Sequence, residues 1–325
     1  MSSGGASSAA RGAGAVEVAA QAKINLRLRI LARETSGYHQ LETLFLRIDL
    51  ADTVRIRRTS GERTMDVAGN VDPALIGPVE KNLAWRAAEA YFAASGMRGG
   101  FAIELTKRIP IGGGLGGGSA DAGAVLRALE AMDDEPTNWD LVLSLAEQLG
   151  ADVPFLATEH AYALAWGRGE RMLALTPPPP GEAILVVPNF GVNTAEAFGW
   201  LGEPRPTAAP RRHGSSLVFQ LAALSDWESL TALADNDFEY AVGMRHPEIQ
   251  EHAERLRGLG CSIAMMSGSG STVFGIWTSP TAHAPRRRAS PPPSAEADLT
   301  ADAPVGTKYI RTRTASRVEQ VFVID

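Results

Sequence analysis

Cysteine is nearly absent from this chain. Cys261 is the single one in 325 residues, which excludes an internal disulfide and a zinc site built on cysteines. One thiol fits a reducing compartment, so a cytoplasmic location is the expectation. Long apolar runs are missing too. The strongest, 183–188, falls far short of the ~20 residues that a membrane-spanning helix requires. There is also no basic excess: 31 Lys and Arg stand against 37 Asp and Glu, a net charge of −6. Nucleic-acid and membrane-surface binders rely on the opposite balance, so neither partner is expected. What remains is 45% hydrophobic and 21% charged, the profile of a folded globular protein, and its length suggests about two domains at ~150 residues each.

Three stretches differ from the rest. Residues 1–14 are almost all Ser, Gly and Ala, lack the apolar core of a secretory signal, and are expected to form a disordered leader through residue 15. Residues 279–304 carry Arg286-Arg287-Arg288 and Pro291-Pro292-Pro293, too little apolar surface to offset ordering entropy, and predict a disordered insert. No aromatic residue interleaves with the arginines, so the run reads as a solvated face rather than a nucleic-acid patch. Four prolines and a glycine at 177–181 mark a linker between domains at 16–176 and 182–325.

Between these marks strand and helix periods alternate. Ile24, Leu26, Leu28 and Ile30 follow a period of two, as do Leu44, Leu46, Ile48 and Leu50, with Val54 and Ile56 beyond. Leu83, Ala87, Tyr91 and Ala94 follow helical spacing. Phe101, Ile103 and Leu105 predict a strand; Val125, Leu126, Leu129 and Met132 a helix; and 139–149 another. The second half predicts strands at 183–187, 262–266, 271–277 and 321–324, with helices near 194–201 and 247–259. This mixture predicts two α+β domains.

The richest segment is Pro110-Ile111-Gly112-Gly113-Gly114-Leu115-Gly116-Gly117-Gly118-Ser119-Ala120-Asp121. Such a loop is free of side chains, can adopt positive φ, and can bring its N–H groups close to an anion. Ser119 is expected as the N-cap of the following helix, whose positive end would complete a phosphate cradle. Three readings compete: a flexible linker, a dinucleotide loop through Gly112, Gly114 and Gly117, or a nucleoside-triphosphate site. It is not a Walker A loop, because Ser119 stands where that motif has lysine.

The same segment resembles the phosphate loop of the GHMP kinases, the galactokinase, homoserine, mevalonate and phosphomevalonate kinases. Ala22-Lys23-Ile24-Asn25-Leu26 resembles their N-terminal motif, and Ser267-Gly268-Ser269-Gly270-Ser271-Thr272-Val273-Phe274 their C-terminal glycine motif. The resemblance implies a ribosomal-protein-S5-like N-terminal domain, a ferredoxin-like C-terminal domain, and ATP with Mg²⁺ acting on a small-molecule alcohol. Paired triple glycines around leucine most resemble the branch whose acceptor carries a cytidyl group and is phosphorylated at its 2-hydroxyl in non-mevalonate isoprenoid synthesis.

Residue roles follow from matching positions. In Gly150-Ala151-Asp152-Val153-Pro154, Asp152 resembles the catalytic aspartate, as base or as hydroxyl-orienting carboxylate; alone it would read as a turn residue. Lys23, otherwise a solvated strand lysine, resembles the active-site lysine, and Asn25, which shares its face, is a candidate to hydrogen-bond substrate or Asp152. Gly37-Tyr38-His39 matches the cytosine-binding segment, with a ring to stack and an imidazole to address the base edge, and Phe198 is a candidate second wall. Pro110 through Ala120 are expected on the triphosphate, Asn82 and Lys107 near adenosine, and Ser119 on the metal. The resemblance leaves the oligomeric state open, monomer or weak homodimer. Outside the family, the rivals are a nicotinamide-dependent oxidoreductase and a regulatory protein that binds ATP without turnover.

Overall fold

A computed structural model describes residues 10–35, 37–69, 76–135, 138–201, 220–278 and 304–324. The expected insert up to 303, and the leader up to 9, lie outside the described residues. From Ala10 the leader is packed rather than loose: Ala10 is buried, and Gly12 N–H donates to Met132 O at 3.2 Å.

The chain opens with two very long antiparallel strands, β1 (Ala15–Arg33) and β2 (His39–Thr59). Next come β3 (Arg63–Gly69), α1 (Leu83–Ser95), β4 (Gly100–Lys107) and α2 (Gly117–Met132). They are followed by α3 (Trp139–Leu149), α4 (Val153–Ala157), β5 (Tyr162–Gly167) and β6 (Arg171–Ala174). Beyond the proline stretch lie β7 (Glu182–Val187), α5 (Thr194–Leu201), α6 (Trp227–Leu233), β8 (Asp235–Asn236) and α7 (Phe238–Gly243). The remainder is α8 (Glu248–Gly258), β9 (Ile263–Met266), β10 (Val273–Trp277), β11 (Lys308–Arg313) and β12 (Val321–Val323).

An eight-stranded sheet follows the path β12-β1-β2-β4-β3, with β5 on β2, β6 on β5, and β8 on β1. A second sheet, antiparallel, has the order β11-β7-β10-β9. We keep 16–176 and 182–325 as a proposed division of the chain, with β8 and β12 crossing it to join the first sheet. The proline stretch is held at its middle and at its end, by Trp227 Nε1 donating to Pro179 O and by Gly181 N donating to Thr314 Oγ1, each at 2.8 Å.

Two features of this frame position the cleft. The β1–β2 ladder slips between Gln21 and Lys23 and again between Asn25 and Arg27. Such bulges bend a strand and re-aim its side chains, and here they bracket Lys23 and Asn25. The second feature is α2, buried at every residue from Ala120 to Met132. Gly123 has no side chain on the face toward α4; a Cβ there would fall 2.4 Å from the carbonyl carbon of Leu156.

Arg47 holds the far end of α4. It is 1% exposed; its Nη2 donates to the carbonyls of Phe155, Leu156 and Thr158 at 2.9–3.0 Å, and its Nε to His160 O at 3.1 Å. Phe155 O also accepts from the Thr158 N–H and hydroxyl, at 3.1 and 2.8 Å, whereas for the carbonyls of Leu156 and Thr158, at the end of the helix, Arg47 is the donor. With that end fixed, Asp152, which precedes α4, is fixed as well.

Candidate active site

A cavity of about 490 Å³ opens between the two halves of the chain. Lys23 forms its floor. Its Nζ donates to Asn25 Oδ1 at 2.8 Å and to Gly114 O at 3.1 Å, and lies 3.2 Å from Asp152 Oδ2. The lysine is buried whereas the Asp152 side chain is 31% exposed, so the carboxylate is the member that opens to the cavity. Asn25 is itself held: its Nδ2 donates to Thr43 Oγ1 at 2.8 Å, and that hydroxyl donates to Arg27 O at 2.7 Å. The expected trio of Lys23, Asn25 and Asp152 is therefore brought together.

The glycine-rich loop lies over this floor, and its composition has a second cause beside anion approach. A Cβ at Gly114 would sit 2.1 Å from Ser267 O, so the loop interlocks with the second glycine motif. Ser267 Oγ donates to Gly114 O at 3.0 Å, and Thr272 N–H to Gly113 O at 3.2 Å. Asn236, buried on β8, fastens the second motif by donating to Met266 O and Gly268 O at 2.9 and 2.8 Å. Gly116 has φ +71° and lies against the stem of Lys23. One expectation is corrected here. The helix begins at Gly117 with Gly116 as its N-cap, so Ser119 is not the cap but stands in the first turn, at the cavity. Three glycines let the backbone enter the helix earlier than a capping hydroxyl suggests.

At the apolar end of the cavity lie Val67, Ile76, Leu83 and Ile109 beside Asn82, whose Oδ1 caps α1 by accepting from Ala84 N–H at 2.9 Å. Lys107 lines the same end, but its ammonium is bonded to two buried carboxylates, Asp52 and Asp121. Burial alone would lower the Lys107 pKa, yet the two carboxylates together raise it. Asp121 moves up from the usual carboxylate range: burial is the largest cause, Lys107 opposes it, and Asp52 adds to it.

The aromatic residues are less assembled. His39 and Phe198 stack on each other, ring centroids 4.6 Å apart and 16° from parallel, and Phe238 meets Phe198 edge-on at 4.9 Å. Partial burial, then Arg33, lower the His39 pKa and favour its neutral ring. Tyr38 stands apart from this pair. It is 60% exposed and carries the Arg168 guanidinium 4.2 Å above its ring; of Tyr38, His39 and Phe198, Phe198 is the one that lines the cavity. The expected pairing of Tyr38 with Phe198 across a base is therefore replaced by His39 on Phe198.

Among the described residues, no group of three His, Cys, Asp or Glu side chains could hold a metal ion. Ser119, with its hydroxyl, and Asp121, whose carboxylate is bonded to Lys107, are the residues of the loop's helix that bring side-chain oxygens to the cavity. That donor set fits a cation that keeps most of its ligands from phosphate and water, the habit of Mg²⁺. Sequence reasoning missed Asp52, Asp121 and Asn236. The readable signal was a carboxylate inside a buried pattern: Asp52 interrupts the β2 alternation, and Asp121 sits among alanines.

Residues 82–160 match the profile of the GHMP kinases N terminal domain, and residues 219–289 that of the GHMP kinases C terminal domain. A 4-diphosphocytidyl-2-C-methyl-D-erythritol kinase of Pelotomaculum thermopropionicum is 39% identical over 261 residues, covering 79% of this chain and 87% of that protein. The crystal structure of a 4-(cytidine 5'-diphospho)-2C-methyl-D-erythritol kinase superposes with a TM-score of 0.70 at 33% identity, covering 92% of this chain and 98% of that one. A homoserine kinase from Cytophaga hutchinsonii shares the fold alone, at 18% identity and a TM-score of 0.65 over 96% of this chain and 98% of that one.

Proposed function

The chain belongs to the GHMP kinase family, and we propose that it transfers the γ-phosphoryl group of ATP to the 2-hydroxyl of 4-diphosphocytidyl-2-C-methyl-D-erythritol. This is a step in isoprenoid precursor synthesis by the non-mevalonate route. The observation that best supports the chemistry is the Lys23–Asp152 pair at 3.2 Å, with Lys23 also bonded to Gly114 O of the glycine-rich loop.

Phosphoryl transfer needs alignment and charge neutralisation more than covalent help. The acceptor oxygen forms a bond to the γ-phosphorus, the bond to the β–γ bridging oxygen breaks, and ADP leaves. Asp152, open to the cavity, takes the hydroxyl proton or orients the hydroxyl as it attacks. The Lys23 ammonium stabilises negative charge developing on the acceptor oxygen and the moving phosphoryl group. Asn25 keeps that ammonium aimed, because its own amide is fixed by Thr43. Gly112 through Gly118, with the N-terminus of α2, hold the phosphates through backbone N–H groups. Ser119 would contact Mg²⁺, which when bound neutralises phosphate charge. His39 and Phe198 serve the cytosine.

An ADP-release assay with the cytidyl compound, mevalonate and homoserine tests this reading. Turnover is expected with the first and only background ATPase activity with the others. Comparable kcat/KM for mevalonate or homoserine would overturn the substrate assignment.

A further inference from the structure

The entry and the exit of the glycine-rich loop meet at one buried ionic cluster. Asp52, on β2, is completely buried. Its Oδ1 accepts from the backbone N–H groups of Arg108 and Ile109, the latter at 2.8 Å, and these two residues lead into Pro110. Its Oδ2 accepts from Lys107 Nζ, which also donates to Asp121 Oδ2 at 2.6 Å. Asp121 lies in α2 just past the loop. One carboxylate is thus bonded to the loop's entry directly and to its exit through a single ammonium.

The loop needs such an anchor. Glycine loses more backbone freedom on ordering than any other residue, so a run rich in it keeps one conformation only if its ends are held. Buried charged groups hold firmly, because a displaced one is left desolvated without its partner. The residue type matters as well. A carboxylate can accept two backbone N–H bonds on one oxygen and an ammonium on the other. Helix contacts reinforce the exit: a Cβ at Gly117 would lie 3.0 Å from Ile109 Cγ2 and 3.5 Å from Lys107 Nζ.

We propose that Asp52 is a positioning residue of the phosphate loop, holding its entry through Arg108 and Ile109 and its exit through Lys107 and Asp121. Its importance for catalysis rests on the reading of that loop as the ATP grip. Two of the three N–H donors of Lys107 serve this cluster, so the lysine braces the loop.

The test compares the full chain with Asp52→Asn and Asp121→Ala, by hydrogen–deuterium exchange without nucleotide and by steady-state kinetics. Asparagine keeps an oxygen for the two N–H groups and loses the charge opposite Lys107. Exchange across 108–119 is expected to quicken by about tenfold, with β7 and β10 unchanged. The KM for ATP is expected to rise by about tenfold, with the acceptor KM within about twofold. Unchanged loop exchange overturns the proposal, as does a uniform rise along the chain, which marks lost stability alone. Faster exchange confined to the loop with an unchanged ATP KM leaves the hold of Asp52 standing and counts against the loop as the ATP grip. If Asp52→Asn does not fold, Asp121→Ala serves, because it leaves Asp52 paired with Lys107. Faster exchange confined to 114–119 then supports the cluster's hold, and none refutes it.

Discussion

The two ends of the cleft are built to different standards. At the bond-making end, Lys23, Asn25 and Thr43 are buried and joined by hydrogen bonds of 2.8 Å, and Asp152 is set by a helix that Arg47 pins at its other end. At the aromatic end, Tyr38 is solvent-exposed and bound to Arg168, while His39 and Phe198 cover each other. Electrostatic stabilisation depends on dipoles and charges already in place when charge develops. Base stacking does not, since an aromatic face accepts any base that reaches it. On the proposed function, we infer that the first end controls rate and the second affinity.

The largest effect should come from breaking the bond-making end. Asp152→Asn preserves shape and removes the charge, and kcat is expected to fall on the order of 10²-fold or more with little change in either KM. Steady-state kinetics decide this, and a near-normal kcat would make Asp152 a structural residue.

A smaller loss follows from loosening the support behind it. Arg47→Met removes the donor from the buried Leu156 carbonyl and from the partly buried Thr158 carbonyl, at ~1–3 kcal/mol each, so denaturant unfolding should show about 3 kcal/mol of destabilisation. The folded fraction should also show a reduced kcat, because Asp152 is no longer fixed from behind, while the acceptor KM stays near its normal value.

This difference in construction also decides what was legible in the sequence. Long periodic elements were readable: the α3 and α5 helices fall on the expected 139–149 and 194–201. The α4 helix was not, because Val153-Pro154-Phe155-Leu156-Ala157 is apolar throughout and carries no period. The strands β5 and β6 take their pairing from β2, distant in sequence, rather than from local pattern. Lys23, Asn25 and Asp152, which the structure brings together, could be singled out because each lies in a motif. Asp52 and Asp121 were hidden because their meaning lies in Lys107, 55 and 14 positions away. The aromatic end was read least well, since Tyr38 and His39 are neighbours in sequence yet face different surroundings.

The most direct test of the division between rate and affinity is the kinetics of Phe198→Ala at saturating ATP. Losing one stacking face at ~1–3 kcal/mol, with about 1.4 kcal/mol per tenfold, should raise the acceptor KM by roughly tenfold to a hundredfold. The kcat and the KM for ATP should stay within about twofold, because Phe198 contributes binding and not bond-making. A fall in kcat at unchanged acceptor KM would contradict the account, placing the aromatic end in the chemical step.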